Sequence, residues 1–270
     1  MGDSDSTQTS RSPAEIYDEF LVPALFQEWA SRVADAAQLQ PGQRILDVAC
    51  GTGILARTAA GRVGASGAVV GLDLNDDMLA VAARKAPQIE WRQGKAEILP
   101  FEAGSFDAVV SQFGLMFFQD RRAALREMLR VLRPGGRLAV AVWGSLDQTP
   151  SYVAMAELAQ QHFGEQAADS IRSPFRLGNV QELQTLVANA DIPNAEITSD
   201  SAAVRFASIR DWVYAEMGDW VLDGRLSNTQ FNRLVADAEQ ALAQFITAEG
   251  TVAFDMPAHI VTSIKTLPAT

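Results

Sequence analysis

The residues best suited to chemistry lie in one short stretch, Ile45–Gly53, where an acid and two glycines follow an apolar run. The apolar run predicts a buried strand, and Asp47 lies near its carboxyl end. Gly51 and Gly53 allow a tight turn whose backbone can approach a ligand before a helix begins near Ile54. This order of strand, glycine turn and helix is typical of a site that binds an adenosine-containing ligand.

Asp47 indicates which class of ligand the turn binds. A dinucleotide site places a pyrophosphate against the glycine turn and the helix N-terminus, and an acid at the strand end would repel that group. A ligand that carries an ammonium group would be attracted instead. S-adenosylmethionine carries both an α-ammonium and a sulfonium, so a cationic, adenosine-containing ligand fits this turn better than a dinucleotide does.

Further motifs follow the glycine turn along the chain. A second predicted strand, about 20 residues later, ends in Asp73, from which a carboxylate can accept hydrogen bonds from both hydroxyls of a ribose. The segment Asn75–Leu79 then opens a helix. Three more segments complete the series, namely Gln93–Phe101, Ser105–Gly114 and Arg130–Gly136.

The series resembles the motifs of the class I S-adenosylmethionine-dependent methyltransferases, in particular the subgroup that includes the quinone-biosynthesis and many natural-product enzymes. The resemblance covers residues 40–145 well and the remainder loosely. It implies S-adenosylmethionine as the cofactor, with adenine between Leu74 and Met78. The implied cofactor-binding residues are Tyr17, Asp47, Ala49, Gly51, Gly53, Asp73, Leu74, Met78, Ala96, Glu97, Gln112 and Phe113.

One position departs from the pattern of that subgroup. The subgroup usually has an acid where this chain has Lys95, and that acid often contacts the adenine amino group. From this segment, only the backbone amide of Ala96 and the side chain of Glu97 are therefore carried over to the expected cofactor site.

Tyr17 and His162 are the candidate catalytic residues. Tyr17 lies on a helix that folds over the cofactor in similar enzymes, and a phenol offers a sulfonium both a hydroxyl and a negative ring face. Its alternative role is packing against Phe20 and Phe26. His162 shares a helical face with apolar residues, so it could enter an acceptor cavity or simply pack there. The other histidine, His259, is interpreted as a sheet-edge residue.

Composition limits the partners that this chain can bind. The 270 residues include 33 acidic and 22 basic side chains, and the formal charge of −11 repels nucleic acid and anionic lipid. No apolar run of 18 residues predicts a membrane span, and no clustered His/Cys pair predicts a metal site.

Cys50 is the single cysteine and is interpreted as a small packing residue. We expect a cytoplasmic protein that acts on a small-molecule acceptor, and we consider a homodimer as its assembly.

Strand and helix signals alternate through the first half of the chain and predict an α/β fold with a mostly parallel sheet. The resemblance implies a Rossmann-like sheet of seven strands whose last strand is antiparallel. Residues 1–12 are expected to form a disordered tail, and residues 13–145 the N-terminal helices, with a break at Pro23, and the cofactor core. Residues 146–270 are expected to supply the remaining strands and a helical cap, at about 146–190 and 208–247, inserted near the C-terminal hairpin.

The predicted function is transfer of a methyl group from S-adenosylmethionine to an oxygen or carbon of a small, apolar or aromatic acceptor. The cap is expected to close over the acceptor with two side-chain groups, one of Trp212, Tyr214, Met217 and Trp220 and the other of Met155, Leu158 and His162. Phe117 and Phe118 could also line the acceptor pocket. The alternatives are a nicotinamide-dependent oxidoreductase and a catalytically silent, cofactor-binding partner subunit.

Overall fold

A computed structural model describes residues 11–217 and 227–266 of the chain. Seven strands form one sheet in the order β3-β2-β1-β4-β5-β7-β6. The strands are β1 Arg44–Val48, β2 Ala68–Asp73, β3 Glu90–Gln93, β4 Phe106–Gln112, β5 Leu132–Trp143, β6 Glu196–Phe206 and β7 Val252–Ile264. Only β7 runs against its neighbours, β5 and β6, so the predicted Rossmann-like sheet with an antiparallel last strand is confirmed.

Ten α-helices surround this sheet within the described ranges. They are α1 Pro13–Ile16, α2 Gln27–Ala36, α3 Ile54–Val63, α4 Asp76–Lys85, α5 Arg121–Val131, α6 Pro150–Phe163, α7 Glu165–Arg172, α8 Val180–Asn189, α9 Ile209–Met217 and α10 Asn228–Ala241. Strands β1, β2 and β3 follow one another toward one edge of the sheet, and β4 and β5 then lie on the other side of β1. Because such crossovers are right-handed, α3 and α4 cover one face of the sheet and α5 the other. None of the described helices is long and apolar enough to cross a membrane.

The central strands are apolar on both faces, as the covering helices require. Ile45, Leu46 and Val48 of β1 have no exposed surface, and Val109 and Val110 of the neighbouring β4 are equally buried. Both faces of such a strand are buried, so its middle contains apolar residues. Polar residues are found mainly where the strand ends. The carboxyl ends of β1, β2 and β4 therefore lie beside one another with their polar residues.

The N-terminal helices differ from the expectation in two ways. Residues 1–10 of the expected tail lie outside the described residues, but Ser12 caps α1 through a reciprocal hydrogen-bond pair with Glu15. The helix also continues through Pro23 without a break, as a π-helical segment, Tyr17–Phe26. Proline has no N–H to donate, and its ring would clash with the carbonyl four residues earlier in an α-helix; the wider π turn gives that ring more room.

Ion pairs attach this N-terminal segment to helix α4, which follows β2. Arg84 of α4 lies 2.8 Å from Glu15, and Lys85 of the same helix pairs with the buried carboxylate of Asp18. The π-helical segment therefore lies across the carboxyl ends of the strands with its charged side toward α4. Its apolar residues Leu21 and Leu25 face the interior.

The C-terminal half builds the antiparallel edge of the sheet. Strands β6 and β7 pair from Glu196↔Thr262 to Phe206↔Val252, and α9 and α10 lie between them in the sequence, as expected for the inserted cap. Helices α6, α7 and α8 precede this hairpin and lie within the expected cap segment of about 146–190. His259 is buried, with its ring nitrogens 2.7 Å from Ser199 Oγ and 2.9 Å from the Gly178 carbonyl. It anchors a loop to the sheet.

Candidate active site

A cavity of about 710 Å³ opens at the carboxyl ends of the parallel strands. Its floor comes from the turns after β1, β2 and β4, and its cover from the π-helical segment, α6, α9 and the segment 170–175. This is the position where open α/β sheets bind their ligands. The volume lies within the usual range for small-molecule sites of about 300–1,000 Å³.

The glycine turn after β1 forms one wall of the cavity. Ala49 and Gly51 both line it, and both have positive φ, of 59° and 54°. A Cβ added to Gly51 would lie 3.9 Å from the hydroxyl of Tyr17, which also lines the cavity. Because glycine adopts this conformation at little cost, the chain can turn here with its backbone exposed to a ligand. Tyr17 covers the turn from above.

Asp73 lies at the end of β2 and braces the same turn. Its Oδ2 accepts a hydrogen bond from the Gly51 amide at 2.7 Å, and its Oδ1 accepts one from the Asn75 amide at 2.9 Å. Burial raises the pKa of Asp73, against the opposing effect of these two amides. Each carboxylate oxygen keeps a second lone pair, so Asp73 can also accept hydrogen bonds from a ligand in the cavity.

Asp47 is completely buried behind the turn and does not form part of the cavity wall. Neither of its carboxylate oxygens has a hydrogen-bond partner among the described residues. Burial, and secondarily the charge of Asp73, raise its pKa well above the usual range. A fully buried acid, Asp47, and a partly buried one, Asp73, lie near one turn and favour a cationic ligand over a phosphate, although Arg57 of α3 donates to the Thr52 carbonyl of this turn and offsets part of the charge of Asp47.

Gly53 lies elsewhere than expected, because it does not line the cavity. Its φ of 84° is left-handed, and a Cβ added there would lie 2.4 Å from Cη2 of Trp91. The indole of Trp91 also lies where a side chain of Gly71 would be. The close approach that requires glycine at position 53 is therefore to a tryptophan of β3.

The residues expected around adenine lie at the cavity mouth. Leu74 is 61% exposed, whereas Met78 is buried against Ala14 and Val81, and both line the cavity. The lining includes Lys95, Ala96 and Glu97 as well. Oε1 of Glu97 accepts the backbone amide of Gln119 at 3.0 Å, so this carboxylate also holds the loop after β4.

Gln112 and Phe113 bring the end of β4 into the cavity. The Gln112 side chain donates to the Phe26 carbonyl at 3.0 Å, and its buried Oε1 has no partner within the described ranges. Phe113 has a positive φ of 56° and stacks on Trp143 with ring centroids 3.5 Å apart. Both predicted residues therefore lie on the cavity wall, between its two halves.

The other half of the cavity is aromatic and contains one acid that the sequence reasoning missed. Its walls include Phe118, Trp143, Tyr152, Phe175 and Met256, while Phe117 lies 59% exposed at the rim. Glu216 of α9 enters this half and accepts a hydrogen bond from the Tyr152 hydroxyl. Burial raises the pKa of Glu216 to about 7. Its helical register with Ile209 and Trp212 was the available signal, because it places an acid on an apolar helix face.

The side chains expected to close over the acceptor lie in the core instead. Trp212 and Met217 have no exposed surface, and Met155 and Leu158 are likewise buried. Tyr214 packs its ring against Phe20 and Phe231, and Trp220 lies outside the described residues. None of those described lines the cavity, which α9 reaches through Ala215 and Glu216. The large apolar side chains of the cap pack against one another and against the sheet, so they do not reach the cavity wall.

The two catalytic candidates have different surroundings. His162 lies away from the cavity lining, with Nε2 3.0 Å from the Asp237 carboxylate of α10, so it joins two cap helices. Tyr17 lies in the cavity, but burial and the charge of Asp73 raise its pKa well above the ordinary value for a phenol. Its hydroxyl therefore stays protonated at neutral pH, which suits a hydrogen-bond donor better than a base.

Comparison with known proteins identifies the family. Residues 15–190 match the model of the ubiE/COQ5 methyltransferase family. A demethylmenaquinone methyltransferase of Renibacterium salmoninarum is 34% identical over 222 residues, which cover 82% of this chain and 81% of that relative. A ubiquinone/menaquinone biosynthesis C-methyltransferase of Ectopseudomonas mendocina is 40% identical over 132 residues, 47% of this chain and 52% of the relative.

A solved structure supports the fold assignment. The phosphoethanolamine N-methyltransferase 2 of Haemonchus contortus, in complex with S-adenosylhomocysteine, aligns with a TM-score of 0.54 at 18% identity. The alignment covers 96% of this chain and 61% of that one. The family match favours methyl transfer over the oxidoreductase and silent-subunit alternatives. The chain belongs to the ubiE/COQ5 methyltransferase family and is an S-adenosylmethionine-dependent methyltransferase.

Proposed function

We propose that this enzyme methylates a ring carbon of a small aromatic acceptor of the hydroquinone type. The observation that carries the proposal is the second half of the cavity, whose walls are mainly aromatic and apolar. They contain one carboxylate, Glu216, beside the neutral polar side chains of Ser170, Ser173 and Tyr152. Such walls suit a flat, uncharged ring better than a charged or strongly polar molecule. The names of the two relatives, one a demethylmenaquinone methyltransferase and the other a C-methyltransferase, point to the same acceptor class.

The proposal assigns the cofactor to the half of the cavity that contains Asp73. Asp73 would accept hydrogen bonds from the ribose hydroxyls, and the ammonium group beside the turn would favour the ionised form of the Asp47 carboxyl, which burial disfavours. Leu74 and Met78 would pack on adenine, with the amide of Ala96 and the side chain of Glu97 at its edge. The remaining assigned residues border the amino-acid end of the cofactor, namely Tyr17, Ala49, Gly51, Gln112 and Phe113.

When bound, S-adenosylmethionine supplies a methyl group that is already activated for displacement. The protein must therefore align the acceptor with that methyl group and keep water away. The stacked rings of Phe113 and Trp143 lie at the boundary of the two halves, and the aromatic wall formed with Tyr152 and Phe175 limits how the acceptor ring can tilt. The π-helical segment, with Tyr17 and Phe26 stacked 5.1 Å apart, excludes water from above.

The proposal also covers partners and location. The formal charge of −11 supports a small-molecule acceptor and opposes a nucleic-acid partner. A single cysteine is compatible with a cytoplasmic enzyme. Groups of His, Cys, Asp or Glu that could hold a metal ion are absent from the described residues, so the proposal includes no metal step. Sedimentation at several protein concentrations would test for a homodimer.

Methyl-labelled S-adenosylmethionine tests the proposal directly. The enzyme is incubated with the cofactor carrying a ¹³C-methyl group and with a reduced naphthoquinone that has an open ring position. We expect a product heavier by one methyl group, with a carbon-13 signal in the range of a ring-bound methyl group. A signal in the methoxy range would show oxygen methylation and contradict the proposal. Transfer to a primary amine, with none to the hydroquinone, would contradict the acceptor class.

A further inference from the structure

A hydrogen-bonded pair, Glu216 and Tyr152, lies in the acceptor half of the cavity. Tyr152 belongs to α6 and Glu216 to α9, so the pair connects the two parts of the cap. The Tyr152 ring is fixed from two sides, with centroids 5.1 Å from Phe175 and 5.7 Å from Trp212. Glu216 lies outside residues 15–190, so the match to the family model does not cover it.

The surroundings of the Glu216 carboxylate leave one of its oxygens free for a ligand. Oε1 accepts the Tyr152 hydroxyl, and Oε2 makes no hydrogen bond within the described residues. The indole N–H of Trp212 favours the charged carboxylate, although it falls outside regular hydrogen-bond geometry. No lysine or arginine of the described residues pairs with Glu216, so its charge is uncompensated in a cavity that it helps to line.

A carboxylate in this setting is a suitable proton acceptor. Burial is the main cause that raises the pKa of Glu216 to about 7, and the hydrogen bond from Tyr152 and the nearby indole N–H of Trp212 oppose it. A group whose pKa lies near the working pH is ionised often enough to take a proton and basic enough to hold it. The other candidates lack this combination, because His162 pairs with Asp237 and Tyr17 keeps its proton.

We propose that Glu216 is the catalytic base that takes the hydroxyl proton of the acceptor, and that Tyr152 holds its carboxylate in position. This rests on the proposed function, since it requires an acceptor with an ionisable hydroxyl group on an aromatic ring. Glu216 would contact the acceptor and is a catalytic residue. Tyr152 acts through Glu216 and is a positioning residue.

The proton and electron balance of the reaction is complete with solvent water as the final proton acceptor. The acceptor O–H bond breaks, its proton bonds to Glu216, and the electron pair stays on the acceptor oxygen and is delocalised into the ring. The ring carbon uses that density to bond the methyl group, while the electrons of the broken S–CH₃ bond stay on sulfur. The same carbon then releases its hydrogen as a proton to bulk water, after methyl transfer is complete and water no longer has to be excluded. Glu216 returns its proton to the oxygen, and the aromatic ring is restored.

Three substitutions test these roles. Glu216→Gln removes the base and keeps the shape, and Tyr152→Phe removes the hydroxyl that positions it. Glu157→Gln is the matched control, because Glu157 is an exposed glutamate on the same helix as Tyr152. The measurements are kcat and KM for the hydroquinone between about pH 5.5 and 9, together with the dissociation constant of S-adenosylhomocysteine.

We expect Glu216→Gln to lower kcat by about 100-fold or more, the usual contribution of a general base, with unchanged binding of S-adenosylhomocysteine. The wild-type kcat should rise with pH through about 7, as the carboxylate ionises, and this rise should disappear in Glu216→Gln. Tyr152→Phe should keep the rise but shift its midpoint upward. Acceptors with electron-withdrawing substituents, which ionise more easily, should lose the least activity in Glu216→Gln.

Three outcomes would overturn the proposal, and they distinguish its failure from a failure of the proposed function. If the wild-type enzyme methylates the hydroquinone and Glu216→Gln does so with the same kcat and the same pH profile, Glu216 is not the base, although the proposed function stands. A rise in KM alone would make Glu216 a binding group, with the same consequence. If the wild-type enzyme methylates no hydroquinone, the proposed function fails and this proposal fails with it.

Discussion

The contact between Gly53 and Trp91 gives a prediction whose size can be worked out from the structure. Replacement of Gly53 by alanine puts a Cβ 2.4 Å from Cη2 and 3.0 Å from Cζ3 of the indole. The indole cannot move away freely, because its Nε1 donates to the Ala86 carbonyl at 3.0 Å and Gly71 lies against it. The left-handed backbone costs about 1–2 kcal/mol, and overpacking about 1–3 kcal/mol more.

Gly53→Ala should therefore lower the free energy of unfolding by about 2–5 kcal/mol, measured by urea denaturation. Two control substitutions separate the causes. Gly42 has nearly the same φ, 83°, but an added Cβ would only touch Ser66 Oγ at 3.6 Å, so alanine there should cost about 1–2 kcal/mol. Gly61 lies within helix α3 with nothing nearby, and alanine there should stabilise by about 0.5–1 kcal/mol.

A double-mutant cycle with Trp91→Leu identifies the contact itself. If the indole is the obstacle, Gly53→Ala should cost about 1–3 kcal/mol less when Trp91 is leucine, which leaves only the backbone term. Equal costs in the two backgrounds would refute the reasoning, and so would a Gly53→Ala protein no less stable than Gly42→Ala. Either result would favour the predicted contact with the cofactor as the reason for glycine at position 53.

Other predictions concern the ligand and the titrating groups. S-adenosylhomocysteine at ~100 times its dissociation constant should stabilise the protein by about 2.7 kcal/mol in thermal unfolding, and NADH should not. Asp73→Ala should weaken the binding of S-adenosylhomocysteine by about 1.5–3 kcal/mol, measured by calorimetry. An unchanged affinity would remove Asp73 from the site. The pKa of Glu216 is about 7 in the folded protein and about 4.5 in the unfolded chain, so the folded state binds more protons and stability falls as pH rises between them. From about pH 5.5 to 8, the wild-type protein should lose about 2 kcal/mol more than Glu216→Gln, and parallel urea midpoints would contradict this. His162→Gln should leave kcat unchanged, and a large drop would restore a catalytic role.

Sequence reasoning correctly placed beside one another those residues that follow adjacent parallel strands. Asp73 and Gly51 lie at the ends of successive strands that pair in parallel, so a local pattern was enough to bring them together. Leu74 and Met78 follow from the same pattern, because they lie on the turn and first helical residues after β2.

The parts that the sequence did not predict depend on contacts between distant segments. Nothing near Gly53 in the sequence indicates that the indole of Trp91 occupies the space beside it. The Glu216–Tyr152 hydrogen bond joins residues 64 positions apart, and the position of His162 depends on Asp237 in another helix. The helical periodicity of α9 located its buried face, but it could not show which residues of that face pack inward and which reach a cavity.

The long hairpin of β6 and β7 has a consequence for how this enzyme can change. Eleven residue pairs, from Glu196↔Thr262 to Phe206↔Val252, join the two strands before the chain departs into α9 and α10. Because the paired strands hold the two ends of this inserted segment side by side, a longer or shorter segment changes the entropic cost of closing the loop only slightly. If α9 contacts the acceptor as proposed, acceptor preference can therefore diverge by exchange of this segment, while the parallel strands that carry the glycine turn keep their register.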